Sequence, residues 1–196
     1  MWDDDDLEPF VEATSLPREK IVAVARALRT AGIPFAFGGA ISQEYFGTPR
    51  GSWDIDANLF VPESGAWDVL QALAGLIGSI HLGRAIAAVE REGQARLEWD
   101  GTWIDLYFSY DPFHDSCRSR VREVAFDGEP VGILSAEDLV VLKVLADRER
   151  DWVDIEDIMD CQGDAFDVAY VRRWIEVLCG GNRTKPRRFE EAAANR

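Results

Sequence analysis

The sequence predicts an α+β protein in which strands and helices mix in the amino-terminal half and a helical part follows. One observation is the alternation of apolar and polar residues in short runs, such as residues 54–61. A second is the Asp-Gly dipeptide at 100–101 and again at 127–128, each between two strand-like runs, which is typical of a hairpin turn. The third is the helical spacing of apolar residues beyond Ser135.

Individual elements of the amino-terminal half follow from local signals. Pro17 stands at a helix entry position and Gly32 at a helix end, so the apolar spacing between them predicts a first helix. The apolar run at 33–37 is closed by Gly38-Gly39, which indicates a strand, a glycine turn and a short helix. In chain order we predict helix 17–31, strand 33–37, helix 40–46, strand 54–61, helix 66–76, a stretch to residue 89 with room for another helix, and strands 96–99, 102–109, 121–126 and 130–133.

The carboxy-terminal part is predicted to be helical. Ser135, with Asp138 three residues later, is a variant of the capping box and predicts a long helix to about residue 150. Further helices are predicted at 153–159 and 168–178, whereas the tail at 181–196 has no apolar period and is predicted to be mobile. We therefore expect a core of residues 1–134, a helical part of residues 135–180 packed on it, and this tail.

Charge and composition limit the classes of function. The chain has 36 Asp and Glu against 21 Lys and Arg, a net charge of -15, so it attracts cations and needs a local basic surface to bind nucleic acid. Its acidic leader at 1–6 is unlike a signal peptide, and no run approaches the roughly 18 apolar residues of a membrane span. The cysteines lack the spacing of a disulfide framework or zinc site. We expect a cytoplasmic protein with no membrane partner.

Three aspartates point to metal chemistry. Asp54 and Asp56 lie at i and i+2 on a predicted strand, so both side chains leave the same face of the sheet. Asp105 interrupts a later apolar strand. Neighbouring carboxylates repel unless a hard cation lies between them, and three on adjacent strands would hold two Mg²⁺ ions. The alternative is a solvated sheet face in an acidic protein.

A phosphate-binding turn is predicted upstream of these aspartates. Gly38-Gly39 ends a strand and opens a helix, which directs backbone N–H groups outward. Ser42 is a candidate for an added hydroxyl contact. Arg50 and Ser52 precede the Asp54 strand, where an arginine pairs either with triphosphate or with a nearby acid.

A lysine in the first carboxy-terminal helix completes the candidate site. Lys143 lies in an almost continuous apolar stretch, so it either reaches solvent or faces a cavity, where it would neutralise triphosphate charge. Arg148, Asp151 and Asp154 follow it. The two aspartates either orient Lys143 or pair with nearby arginines. His114, in a predicted loop, is assigned a structural role.

Together these motifs resemble a known family. They are FGGA at 37–40, RGSWDID at 50–56, Asp105, LSAEDL at 134–139, Lys143, RERD at 148–151 and Asp154. Over about residues 33–158 the chain resembles the minimal nucleotidyltransferases of the polymerase-beta-like superfamily, especially the AbiEii-type toxins and the mycobacterial toxins that modify tRNA. The resemblance implies a small mixed sheet flanked by helices, with Mg²⁺ on the three aspartates, phosphates on the glycine turn and Lys143 against the nucleotide. The family's common Gly-Ser is Gly39-Ala40 here, which removes one hydroxyl contact.

The resemblance also implies a reaction, in which a nucleoside monophosphate passes from NTP to an acceptor hydroxyl. The tRNA 3′ end is the leading acceptor, with the protein as the toxin of a toxin-antitoxin pair and an antitoxin as partner. Against the net charge of -15, this acceptor relies on basic residues late in the chain. These are Arg172, Arg173, Arg183, Lys185, Arg187 and Arg188. The alternatives are a small molecule such as a cationic aminoglycoside, a protein acceptor, or a non-catalytic nucleotide-binding module.

Overall fold

A computed structural model describes residues 17–78, 80–109 and 111–194 of the chain. Helices and strands alternate in its first part, and helices alone follow β6. The helices are α1 (Arg18–Thr30), α2 (Gly39–Phe46), α3 (Ala66–Ile77), α4 (Leu82–Glu92), α5 (Pro112–Arg120), α6 (Ala136–Ala146), α7 (Glu149–Gln162), α8 (Val168–Cys179) and α9 (Thr184–Ala194). The strands are β1 (Phe35–Phe37), β2 (Asp54–Leu59), β3 (Gln94–Trp99), β4 (Thr102–Phe108), β5 (Arg122–Phe126) and β6 (Glu129–Ile133).

The six strands form one mixed sheet in the order β3-β4-β2-β1-β6-β5. β2 pairs in parallel with β4, and β1 pairs in parallel with β6, whereas β1 and β2 are antiparallel. Both predicted hairpins are present, β3–β4 and β5–β6. Their Asp-Gly turns have positive φ at both residues, as the two-residue hairpin turn requires. The predicted α+β class and the small mixed sheet flanked by helices are confirmed.

Two apolar clusters cover the sheet unequally. One face of β2, with Ile55, Ala57 and Leu59, is fully buried against a cluster that includes side chains of α1 and α3. On the other face, a cluster built mainly from α5 to α9 takes in Ala36 of β1. Ala36 is paired with Asn58 of β2, so this second cluster covers the sheet next to the polar side chains of β2. The polar face of β2 and β4 therefore opens beside the helical part.

The sequence predicts a long helix from Ser135 to about residue 150, and the predicted end of this helix is wrong. Ser135 caps α6 as expected, because its side chain accepts a hydrogen bond from the Asp138 backbone N–H. The helix ends at Ala146, since Asp147 has a left-handed backbone with φ of 57°. Asp is one of the few non-glycine residues that adopt this conformation readily, and the Asp147 carboxylate also accepts from Trp152 Nε1 at 2.9 Å. A second helix, α7, begins at Glu149.

The predicted loop around His114 is a helix. Asp111 caps α5 by accepting from the backbone N–H groups of Phe113 and His114, at 2.9 and 3.3 Å. Pro112 occupies the first turn, where its missing N–H costs nothing. An Asp-Pro pair is a helix-start signal in the sequence itself.

The tail beyond residue 180, which the sequence predicts to be mobile, contains the helix α9. Phe189 is 1% exposed and belongs to the same apolar cluster as α6 to α8. One aromatic residue on a short polar helix leaves no visible period, which is why the sequence pattern misses it. The acidic leader lies outside the described residues. Among the residues described, no helix is both long and apolar enough to cross a membrane.

Candidate active site

The parallel pairing of β2 and β4 brings the three predicted aspartates to one face of the sheet. Asp54 and Asp56 alternate with the buried Ile55 on β2, as expected for a strand with one apolar face. In the strand register Asp56 lies directly opposite Asp105 of β4. The same face continues at the next position, where Asn58 lies opposite Tyr107.

Asp56 is the most electrostatically strained of these carboxylates. Burial raises its pKa to about 6, and the nearby charges of Asp105 and Asp54 act in the same direction. Tyr107 Oη donates to Asp56 Oδ1 over a long 3.4 Å, which only partly opposes the rise. A hard divalent cation stabilises a buried carboxylate whose charge neighbouring carboxylates disfavour, and it prefers such oxygen donors.

The glycine turn packs directly on Asp56. Gly38 N donates to the Asp56 carbonyl at 2.9 Å and caps α2, which begins at Gly39. Gly39 has φ of +50°, a left-handed conformation that favours glycine. A side chain at Gly38 would meet Asn58 Nδ2, 2.8 Å from the added Cβ. Both glycines are therefore required by their surroundings, and the turn stands beside the carboxylates as predicted.

The third aspartate is held by an arginine that the sequence analysis does not name. Arg96 of β3 lies opposite Asp105 and donates to it through Nε and Nη2, both at 2.6 Å. This bond raises the pKa of the Arg96 guanidinium. Within the described part of the chain, no group of three or more His, Cys, Asp or Glu side chains is arranged to hold a metal ion. The donor atoms nevertheless suit Mg²⁺, because all are carboxylate oxygens on adjacent strands.

Lys143 faces inward and is 5% exposed. Its Nζ donates to Asp154 Oδ2 at 2.5 Å and lies 3.8 Å from Asp151 Oδ1. Burial lowers the pKa of Lys143, and the bond to Asp154 opposes that shift. Arg50 Nη2 donates to the same Asp154 oxygen at 3.2 Å. The sequence predicts that Arg50 pairs either with triphosphate or with a nearby acid, and in the structure it pairs with the acid Asp154.

Arg148 and Asp151 form a pair at the start of α7. Arg148 Nε donates to Asp151 Oδ2 at 2.7 Å, and the Arg148 backbone N–H donates to the same oxygen at 3.3 Å. The arginine side chain is 77% exposed, whereas the aspartate side chain is almost fully buried. Of the two roles predicted for Asp151, orienting Lys143 or pairing with a nearby arginine, the structure has the pairing with an arginine. Ser52 Oγ accepts from the Asp54 backbone N–H at 3.2 Å and supports the start of β2.

Ser42 does not belong to the site. Its side chain is fully buried, and Oγ donates to the Phe37 carbonyl at 2.8 Å. The predicted phosphate contact is wrong because Ser42 lies in the first turn of α2, where its hydroxyl satisfies the end of β1.

A cavity of about 460 Å³ joins these groups. Sequence reasoning missed several residues of its wall. The sequence pattern does indicate three of them. Asn58 and Tyr107 are the next alternating positions after Asp56 and Asp105, and Arg96 is the hairpin partner of Asp105. His114, which pairs with Asp111 at 3.0 Å, is also in the wall. The predicted residues that line the cavity are Gly39, Arg50, Ser52, Asp54, Asp56, Asp105, Lys143, Arg148 and Asp151.

Comparison with known proteins defines the fold. No protein-family model and no curated protein matches the sequence. Among solved structures, the antibiotic-resistance factor ANT(2'')-Ia has a TM-score of 0.51 at 16% identity, over 90% of this chain and 96% of that one. Lincosamide antibiotic adenylyltransferase LnuA, bound to lincomycin, has a TM-score of 0.52 at 12% identity, over 76% of this chain and 99% of that one. The chain therefore has the nucleotidyltransferase fold.

Proposed function

We propose that this protein is a metal-dependent nucleotidyltransferase, which moves a nucleoside monophosphate from NTP to an acceptor hydroxyl and releases pyrophosphate. One observation carries the proposal: Asp56 lies opposite Asp105 in a parallel strand pair, with Asp54 two residues away on the same face. The glycine turn stands against this group. On a solvated acidic surface, nothing would require a glycine with a left-handed backbone conformation to lie in contact with a half-buried carboxylate.

The metal ligands in this proposal are Asp54, Asp56 and Asp105, for two Mg²⁺ ions. When bound, the ions neutralise phosphate charge and favour the attack of the acceptor oxygen. The protein's own part is to hold the carboxylates close together before any cation arrives. The raised pKa of Asp56 supports this assignment, because burial first and the charges of Asp105 and Asp54 second disfavour its charged form, which a bound cation would stabilise.

The nucleotide phosphates are assigned to the part of the cavity wall formed by the start of α2 and by Lys143. The first turn of α2, which begins at Gly39, offers backbone N–H groups, and Lys143 offers a buried positive charge. Gly38 shapes this turn, because its own N–H donates to the Asp56 carbonyl. Arg50 adds a second observation, because its Nε is buried and has no hydrogen-bond partner. An unsatisfied buried donor costs about 1–3 kcal/mol, which a phosphate oxygen would recover. Arg148, Ser52 and the aspartates Asp151 and Asp154 position these groups.

For the acceptor, the family resemblance favours the 3′ end of tRNA, with the protein as a cytoplasmic toxin and an antitoxin as partner. The late basic cluster gives this acceptor little support. Arg172 donates twice to Glu190 at 2.6 Å, and Arg188 donates to Glu149 at 2.7 and 2.9 Å. Arg187 pairs with Glu191 at 3.0 Å. Guanidinium groups neutralised in this way contribute little to phosphate binding.

A small-molecule acceptor is therefore our second candidate. A further cavity, of about 1040 Å³, lies between α4 and β3 and shares Arg96, Asp105 and Tyr107 with the nucleotide cavity. Trp103 lines it and is 43% exposed, next to Glu98 on the paired strand. An exposed aromatic ring beside a carboxylate suits a ring-bearing, cationic molecule. Such a molecule would reach Asp105 from the cavity between α4 and β3.

The test is a transfer assay with purified protein, Mg²⁺ and each labelled NTP, offered total tRNA in one arm and an aminoglycoside panel in another. We expect labelling of one acceptor class, abolished by Asp54→Ala and by Asp56→Ala. Asp164→Ala removes an exposed carboxylate far along the chain from the site and serves as the control. Labelled tRNA with untouched small molecules supports the toxin, and the reverse supports the second candidate. NTP binding without transfer to any acceptor contradicts the proposed reaction.

A further inference from the structure

The Arg96–Asp105 pair occupies the carboxylate that the proposed reaction requires for metal. Both oxygens of Asp105 accept from the same guanidinium, each at 2.6 Å. This two-point geometry is the strongest form of arginine–carboxylate pairing. Among the ion pairs of the described residues, none involves Asp54 or Asp56. Of the three aspartates, therefore, only Asp105 on β4 is already paired with a positively charged side chain.

The two partners differ in how freely they move. The Arg96 side chain is 56% exposed, whereas that of Asp105 is 11% exposed. Arg96 lies on β3, an edge strand of the sheet, and lines both cavities. Its guanidinium already lies over the Trp103 ring, 5.6 Å from the centroid, and this contact remains available when the bond to Asp105 breaks. Arg96 therefore has space to leave Asp105 without disturbing the core.

We propose that Arg96 and the divalent cation compete for Asp105, so that Arg96 sets the metal affinity of the site. Without metal, the guanidinium neutralises Asp105 and limits its repulsion with Asp56. A cation that binds Asp105 displaces the guanidinium toward Trp103 and the α4–β3 cavity. Arg96 is a positioning residue in this inference, since it acts through Asp105. The inference rests on the proposed function for the presence of a metal, but not for the acceptor or the transfer step.

The size of the effect follows from the exposure of the pair. A half-exposed ion pair contributes less than a buried one, and measured exposed pairs contribute up to about 1 kcal/mol. Loss of this competitor therefore strengthens metal binding about two- to fivefold. If Arg96 instead served to orient Asp105 for the metal, its loss would weaken binding. The sign of the change separates the two roles.

The experiment is a Mn²⁺ titration of the full chain without NTP, followed by electron paramagnetic resonance of free Mn²⁺. Arg96→Gln is expected to bind Mn²⁺ about two- to fivefold more tightly than the unmodified protein. Arg96→Lys, which keeps the charge but loses the two-point bond, is expected to lie between them. The control is Arg91→Gln, since Arg91 lines the cavity between α4 and β3, as Arg96 does, but pairs with Glu92. Unchanged or weaker binding by Arg96→Gln overturns the inference.

A second measurement uses the unmodified protein and so does not depend on the folding of a variant. The Nε–Hε resonance of Arg96, identified by its absence from the Arg96→Gln spectrum, is expected to shift as Mg²⁺ is added. A resonance that stays in place while calorimetry records binding overturns the inference. Tighter metal binding by Arg96→Gln without any nucleotidyl transfer would contradict the proposed function alone. Transfer with no change in metal affinity would contradict this inference alone.

Discussion

Gly39 lies so close to the Asp56 carboxylate that no side chain fits between them. A Cβ on Gly39 would lie 1.9 Å from Asp56 Oδ2 and 2.8 Å from Cγ. Both atoms belong to the carboxylate whose pKa burial raises to about 6. The start of α2 therefore determines where this carboxylate lies.

We expect Gly39→Ala to displace Asp56 and to abolish Mn²⁺ binding and nucleotidyl transfer. The positive φ alone costs about 1 kcal/mol, and the clash adds about 1–3 kcal/mol of destabilisation. Urea unfolding measures the stability, and a Mn²⁺ titration measures the site. Gly101→Ala is the matched control, because Gly101 has φ of +76° but nothing within 4 Å of an added Cβ. Equal losses of metal binding in the two variants would contradict the role of the contact.

Asp56→Asn is expected to abolish transfer and yet stabilise the metal-free protein. The change removes a charge that burial, Asp105 and Asp54 all disfavour, while an amide oxygen still accepts from Tyr107. We expect a gain of about 1–3 kcal/mol at neutral pH, or a rise of about 2–12 °C in Tm for a chain of this size. Thermal unfolding in EDTA measures it. A lower Tm than that of the unmodified protein would show that the carboxylate is structural.

Removing Asp154 is expected to reduce the stability of the fold more than removing its partner Lys143. Asp154→Asn leaves both Lys143 and Arg50 without their shared negative partner, at 2.5 and 3.2 Å in the unmodified protein. Lys143→Met leaves Asp154 still paired with Arg50. We expect Asp154→Asn to destabilise by about 3–5 kcal/mol and Lys143→Met by clearly less, measured by urea unfolding. Lys143→Met is also expected to raise KM for NTP. Equal stability costs would argue against a shared carboxylate.

Trp103→Ala tests the acceptor cavity. If the acceptor stacks on this exposed ring, its KM is expected to rise about tenfold, while KM for NTP stays unchanged. The control is Trp67→Ala, since Trp67 on α3 is 53% exposed and lines neither cavity. Steady-state kinetics with the acceptor found in the transfer assay measure both constants. A rise in KM for NTP instead would assign Trp103 to the nucleotide.

Much of the site is readable from local sequence. Alternation on β2 places Asp54 and Asp56 on one face, as the structure has them. The Asp-Gly turn puts Trp99 opposite Thr102, and three further steps along each strand put Arg96 opposite Asp105. That contact was therefore available from the sequence, because a two-residue turn determines the register of its hairpin.

Other features depend on contacts distant in the chain. The parallel register that sets Asp56 against Asp105 joins strands separated by two helices and β3, so no local pattern encodes it. The break between α6 and α7 depends on Asp147, whose left-handed backbone is supported by a bond from Trp152. An aspartate that follows an apolar helical stretch and precedes a charged run carries no visible sign of such a bond.

The last helix provides a test of whether the chain beyond residue 180 is part of the folded domain. Phe189 is 1% exposed, and Lys185 Nζ donates to the Leu145 carbonyl at 2.5 Å near the end of α6. Phe189→Ala is therefore expected to destabilise by about 3–5 kcal/mol, as for a buried aromatic residue. Arg187→Ala, on an arginine whose side chain is 72% exposed, is expected to change stability by less than about 0.5 kcal/mol. Urea unfolding of both variants decides the matter, because a mobile tail would leave the two indistinguishable from the unmodified protein.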